Sequence, residues 1–417
     1  MSTGERETGT HPENSSRECI QGVQTVLRRS RSQPMNALTR RAFIGAGPCV
    51  ALTGLAAVAS PKRSRASIAG ARRVNFLGPG IGLSAPDHVE LLRHLAPNDD
   101  VLDDYSRGGA VDALERQFAA LLGKEAAVFM PSGTLANHIA VRTLANNRRR
   151  VAVQERAHLY NDSGDCAQQL SGLTLVPVSP GCASFTWDDV RVELARAESG
   201  RVATDLGVIS IESPVRRLDH AAFEFSAMER ISLEARRREI GLHLDGALLF
   251  IAAAYSGRAL TAYTILFDTV FVSLWKCFNA ANGAILAGPR ALLSNMYNVR
   301  RMFGGSIKHA WPDAVIASYY ADGYLDRMRT AVATTEKVWA ALSTDDRFAV
   351  VRVPEGTCTL RLAAKGIDAN RYRGNMARVG VDLPERDDGV FVLRVNETAC
   401  LMSAEMLAKT FKAALAV

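Results

Sequence analysis

The apolar run Val270-Phe271-Val272-Ser273-Leu274-Trp275 ends in Lys276 and Cys277. An amine held among such side chains is desolvated, and desolvation favours the neutral form that attacks a carbonyl. A surface lysine would not need that context. Asp245, 31 residues earlier, ends a second apolar run in His243-Leu244-Asp245-Gly246-Ala247. A buried carboxylate is costly unless paired, and a protonated pyridine nitrogen is a partner that would keep the ring cationic. Helix capping is the other reading of Asp245, and the apolar or small residues after it weaken that reading. His158 follows a third run, Val151–Gln154, and a flat imidazole there can stack on a planar ring or move a proton. A lone histidine is more often structural, and this one counts through the residues that accompany it. Phe129-Met130-Pro131-Ser132-Gly133-Thr134 opens a helix, where free N–H groups and two hydroxyls make a phosphate cradle. Gly133 permits close approach, and Ser273 offers a further hydroxyl. An ordinary capped turn has the same residues. In this order, the four features suit a phosphorylated pyridine that carries an aldehyde.

Such groups work only if strand ends bring them together. Periodicity predicts strands at Ala126–Met130, Val151–Gln154, Thr174–Val178, Val208–Glu212, Gly241–Leu244, Thr269–Ser273 and Gly283–Ala287. Helices are expected between them, among them Val111–Leu122, Leu135–Asn146 and Phe225–Glu239. This alternation implies an α/β domain with a mainly parallel sheet between helices. A helix near Arg327–Leu342, short strands at Phe348–Val353, Thr359–Leu362 and Val390–Val395, and a last helix read as a smaller α+β domain. The expected division is a large domain with an N-terminal arm over 74–325 and a C-terminal domain over 326–417.

At these residues the chain resembles the threonine aldolase and aromatic amino-acid beta-eliminating lyase family, which has the aspartate-aminotransferase fold. The likeness covers about residues 74–417 and is strongest in LERQFAALLGKEAAVFMPSGTLANHIAVRTLA, HLDGALLF and FDTVFVSLWKCFNAANGAILAG. It implies a fold-type-I enzyme with a seven-stranded sheet, binding pyridoxal 5'-phosphate. Carried over, it implies that Ser132, Gly133 and Thr134 hold the phosphate and His158 stacks on the ring. Asp245 would pair with the ring nitrogen and Lys276 with the aldehyde as a Schiff base. Arg394, in FVLRVNET, falls where the family grips the substrate α-carboxylate. Arg301 and Lys308, flanking a glycine pair, match basic residues that reach a neighbouring subunit's site, so a homodimer or homotetramer is expected. The implied reaction is cleavage of a β-hydroxy-α-amino acid to glycine and an aldehyde. Beta-elimination, racemisation or a cofactor-holding relative without activity are the alternatives. Four departures from the family pattern stand out: Leu248 where arginine is usual, Ser163 for glutamate, Lys308 for arginine, and FLGPGIGLSAP for a Ser-Asp-Thr stretch. Glu212-Ser213-Pro214-Val215-Arg216 is similar to a divergent branch in which Arg216 would approach the ring oxygen. Arg216 is therefore the candidate to replace the donor missing at Leu248.

The net charge of +7 is a property of the first 73 residues, which hold twelve Lys/Arg and four acids. The remainder carries 38 basic and 39 acidic side chains, which argues against a nucleic-acid partner. Residues 1–34 are polar and read as a disordered leader. Residues 35–66 resemble a bacterial twin-arginine export signal: Thr39-Arg40-Arg41, a mildly apolar stretch Ala42–Ala59, and small residues at Ala57–Ala59. Gly45, Gly47, Pro48 and Gly54 make that stretch a poor membrane anchor. Export to the periplasm is expected, with a cytoplasmic location if the signal is inactive; Met35 is the expected start. Seven irregularly spaced cysteines indicate neither a disulfide framework nor a metal site.

Overall fold

All seven predicted runs become strands of one sheet: β1 (Ala126–Met130), β2 (Arg150–Gln154), β3 (Thr174–Val178), β4 (Leu206–Glu212), β5 (Gly241–Asp245), β6 (Thr269–Ser273) and β7 (Ala284–Gly288). Their spatial order is β3-β2-β4-β5-β6-β7-β1. From β3 to β6 every pairing is parallel, whereas β7 runs against both β6 and β1. This is a computed structural model, and it describes residues 72–416 apart from Asp388. The leader, the twin-arginine segment and Met35 lie outside the described residues. The described chain belongs to one compact unit.

Strand β4 starts two residues earlier than its apolar pattern predicts because it runs through Gly207. A Cβ there would lie 2.1 Å from the Arg148 carbonyl oxygen, so only glycine lets the chain pass at the irregularity between β4 and β2. Helix α1 (Gly109–Leu122) buries Val111, Leu114, Phe118 and Leu122 along one face and stops at Gly123 in the left-handed conformation. Helix α2 (Gly133–Ala145) follows β1 directly. Helix α3 (Phe225–Arg236) ends three residues short of expectation, and Glu239 beyond it turns with φ of 54°. Beyond helix α4 (Tyr324–Ser343), strands β8 (Phe348–Arg352), β9 (Thr359–Ala364) and β10 (Val390–Arg394) form an antiparallel sheet completed by Arg386–Asp387. The arm strand Val74–Asn75 pairs in parallel with Val381–Asp382, so residues at the start of the arm are held by the C-terminal region.

An edge strand leaves backbone groups without a strand partner. On β1 these are taken by side chains: Phe129 N–H donates to Glu115 Oε1 at 2.7 Å, and its carbonyl accepts from buried Arg300 at 2.5 Å. The strand leading into the phosphate turn is thereby fixed on its open side. Burial pushes the Glu115 carboxyl up to about 7. Its folded-state value exceeds its ordinary 4.5, so its ionisation opposes folding increasingly as pH rises between these values. Glu115→Gln keeps an acceptor for Phe129 and removes that loss. The unfolding free-energy difference, variant minus parent, should grow more positive from pH 5 to about 7 and then level off, with a slope up to ~1.4 kcal/mol per pH unit, and the melting-temperature difference should rise with it. A pH-independent difference in scanning calorimetry would contradict this.

Candidate active site

Strands β1, β2, β4, β5 and β6 all end at the same edge of the sheet, the edge where open α/β folds bind ligands. A cavity of about 230 Å³ lies there, lined by Ser132, Gly133, Thr134, His158, Glu212, Asp245, Ser273, Trp275, Lys276 and five neighbouring residues. The structure therefore brings together the residues expected for phosphate, ring and aldehyde. Arg216, Arg394, Arg301 and Lys308 do not line it.

Lys276 sits in a short turn after β6 (Leu274–Cys277). Its footing is aromatic: Phe278, fully buried, meets Phe118 and Phe250 edge-on at 5.0 and 4.9 Å. Cys277 is buried as expected, but Trp275 is 52% exposed and stands in the cavity wall rather than wrapping the lysine. Lys276 Nζ lies 5.5 Å from the Trp275 ring centre.

The turn before α2 does two jobs. Ser132 Oγ accepts from Leu135 N–H, so the capping reading holds, while Gly133 and Thr134 face the cavity. A Cβ on Gly133 would come within 2.5 Å of Phe271 Cζ, which only glycine avoids. Across the cavity, Ser273 Oγ is buried without a hydrogen-bond partner. A ligand oxygen would satisfy it.

Asp245 is 4% exposed; its Oδ2 accepts from Asn137 at 2.5 Å and its Oδ1 from Ala247 N–H at 3.2 Å. Its register partner on β4 is Glu212, a second buried carboxyl. Burial, then the Asp245 charge, push Glu212 well above the usual carboxylate range. Glu212 ties two loops to the site by accepting from His158 N–H at 2.5 Å and Arg216 N–H at 2.9 Å. His158 is half-buried, with Nδ1 3.3 Å from Ser163 Oγ. Burial lowers its pKa, offset by the Asp245 charge, so the imidazole is neutral at neutral pH. Ser163 thus occupies, with a hydroxyl, the place facing the ring where the family has a carboxylate.

The Arg216 guanidinium is 47% exposed and pairs with Asp162, which Arg217 grips as well. Those two arginines hold Asp162 down to about 2, hydrogen bonding from Arg217 being the larger cause. Asp162 captures Arg216 outside the cavity wall, so replacement of the Leu248 arginine by Arg216 gains no contact here. Leu248 itself is core. Arg394 donates to the Leu77 carbonyl at 3.2 Å. Arg301 and Lys308 lie over Tyr105 at 5.1 and 4.9 Å, with Lys308 paired to Asp104.

Sequence reasoning passed over Glu212, Asn137 and His243 as site residues. The argument made for Asp245, a carboxyl at the end of an apolar strand, applies equally to Glu212. Among the described residues no cluster could hold a metal ion, no disulfide forms, and no helix is long and apolar enough to cross a membrane.

The sheet order, the antiparallel β7 and a lysine and aspartate at the shared strand edge define a fold-type-I pyridoxal-phosphate enzyme fold. Residues 95–372 match the beta-eliminating lyase family, and the chain belongs to that family. It is 31% identical over 199 residues to the low-specificity L-threonine aldolase of Eremothecium gossypii, covering 47% of this chain and 51% of that one. It is 28% identical to the alanine racemase TOXG of Cochliobolus carbonum, over 49% of this chain and 53% of that protein. A solved Listeria monocytogenes chain assigned as an L-allo-threonine aldolase superposes with a TM-score of 0.68 at 25% identity, covering 82% of this chain and 96% of that one. This chain spans about half the length of the curated relatives it matches.

The residues present fit pyridoxal phosphate. The partnerless Ser273 hydroxyl, the glycine-dependent turn at Gly133, the buried Asp245 and the lysine between them match its phosphate, ring nitrogen and aldehyde.

Proposed function

We propose that the protein is a pyridoxal-phosphate-dependent lyase that cleaves a threonine-like β-hydroxy-α-amino acid to glycine and an aldehyde. The observation that carries this reading is the convergence of Lys276, Asp245, His158 and the Ser132–Thr134 turn on one cavity, in a chain of the beta-eliminating lyase family. The cofactor, when bound, withdraws electrons from the bond that breaks at the substrate α-carbon. Lys276 Nζ, in the cavity lining, would hold the cofactor at its aldehyde. Ser132, Gly133, Thr134 and Ser273 would hold the phosphate, and Asp245 would pair with the ring nitrogen and favour its protonated form. His158, neutral through burial, accepts the β-hydroxyl proton. Arg394 is the candidate for the α-carboxylate, its planar fork suited to that group. Arg301 and Lys308, exposed around Gly304 and Gly305, support a homodimer or homotetramer in which they serve the adjacent site.

Purified protein loaded with cofactor and given threonine should release glycine and acetaldehyde in equal amounts. Ammonia without glycine would favour β-elimination. Racemisation is the second reading, favoured by the TOXG relative; it would invert substrate and release nothing. Because burial lowers the pKa of His158, the acid limb of kcat/KM should fall below pH 6.5. His158→Gln should abolish that limb, and an unmoved limb would assign the base elsewhere.

We further propose export by the twin-arginine route, on the pattern Thr39-Arg40-Arg41 with Ala57–Ala59. Replacing both arginines with lysine should leave full-length precursor in the cytoplasm; unchanged periplasmic recovery would rule the signal out.

A further inference from the structure

Behind Asp245 runs a file of buried side chains that the proposed reaction does not itself use. Asn137, in the second turn of α2, is 1% exposed; its Nδ2 donates to Asp245 Oδ2 and its Oδ1 lies 2.9 Å from His243 Nε2. His243 is fully buried on β5, two residues before Asp245 and hence on the same face of the strand. Its Nδ1 lies 2.8 Å from Thr269 Oγ1, and Thr269 is its register partner on β6.

The polarity of this file follows from its end. An ionised carboxylate can only accept, so Asn137 turns its NH₂ toward Asp245 and offers its carbonyl oxygen to His243. His243 must then carry its proton on Nε2, and Nδ1 accepts a hydrogen bond from the Thr269 hydroxyl. Burial agrees, holding the imidazole neutral with a pKa down to about 4. Every hydrogen in the file points toward Asp245. Aligned hydrogen bonds polarise one another, and their positive ends converge on the carboxylate. The carboxyl of Glu212, the register partner of Asp245, is braced instead by the backbone N–H groups of His158 and Arg216.

We propose that Asn137 and His243 are positioning residues that keep Asp245 as a carboxylate aimed at the cofactor's ring nitrogen, with Thr269 fixing the imidazole tautomer. This rests on the reading of the site as a pyridoxal-phosphate site. It also links two parts of that site, because Asn137 lies one turn along the helix whose start forms the phosphate turn. A change at Asn137 is felt at the ring nitrogen while the phosphate contacts stay in place.

The test compares binding of pyridoxal phosphate with binding of its 1-deaza analogue, in which carbon replaces the ring nitrogen. Dissociation constants are measured by absorbance on the full chain freed of cofactor. The unaltered chain should favour the natural cofactor. Asn137→Ala and His243→Leu should reduce that preference on the order of tenfold, the scale of losses from groups that orient a ligand's direct partner. His243→Gln, whose Nε2 can donate to Asn137 and whose Oε1 can accept from Thr269, should restore most of it. If His243→Leu does not fold, Asn137→Ala carries the same comparison. Equal weakening of both ligands, or a His243→Gln variant as impaired as His243→Leu, would show that the file only packs the core and overturn the inference. An unaltered chain that binds both ligands equally well overturns the inference while leaving the site a cofactor site. One that binds neither overturns the functional reading, and the inference with it.

Discussion

Lys276→Ala is expected to remove covalent cofactor attachment and to lower glycine release by roughly 10³-fold or more, as loss of a covalent catalytic group does. Borohydride reduction of the unaltered protein should bleach its visible band, and peptide mapping should place the adduct on Lys276. The fold should survive the substitution, because the turn is held from below by Phe278 and Cys277 rather than by the lysine side chain. Lys124 is an internal control. Burial lowers its pKa to about 8, which favours a free amine, yet its Nζ donates to the Phe267 carbonyl at 2.6 Å and lies outside the cavity lining. A low pKa alone would direct reduction to Lys124; position beside Asp245 and the Ser132–Thr134 turn directs it to Lys276. An adduct chiefly on Lys124 would reject the assignment.

The strands were legible because burial on both faces writes continuous apolar runs, and the loops between them carry Gly, Pro and Asp. β1, β3 and β6 were predicted to the residue, each with a polar or turn-forming neighbour at one end at least. β4 was cut short because a glycine looks like a stop, although here it permits close passage beside Arg148. In the site, residues at strand ends were visible through their contrast with the run before them. Asn137 and His243 were not, since one polar residue inside a helix or strand has no period, and its partners lie 106 residues apart in sequence. Trp275 misled in the opposite sense. Its apolar character suggested a wrapping for Lys276, but a residue adjacent to the lysine in a short turn points into the cavity mouth instead. Arg216 shows a third limit. Its proximity to the ring was implied by resemblance, whereas the competing partner, Asp162, comes from a loop 54 residues away.

The second large effect is expected at Asp245. Asp245→Asn preserves shape and removes the charge, so it separates the two contributions of this residue. The carboxylate now accepts from Asn137 on one oxygen and from Ala247 N–H on the other. An amide has only one acceptor, so in either orientation its NH₂ must face a donor. An unmade buried hydrogen bond costs about 1–3 kcal/mol, and the lost partner for the ring nitrogen adds to it. Cofactor affinity and turnover should each fall on the order of a hundredfold. A second readout needs no cofactor. Burial and then the Asp245 charge hold the Glu212 pKa above its ordinary value, so the Glu212 contribution to stability is lost as pH rises toward that raised value. With the charge gone, Glu212 ionises at lower pH, and the range of that loss should close sooner at its upper end. Melting temperature measured against pH on the cofactor-free chain would show it, with Asp245→Asn and Glu212→Gln compared in single and double variants. If the pH profile of Asp245→Asn matched the parent throughout, the two carboxyls would not be coupled. The charge-based account of Asp245 would then fail together with its expected loss of affinity.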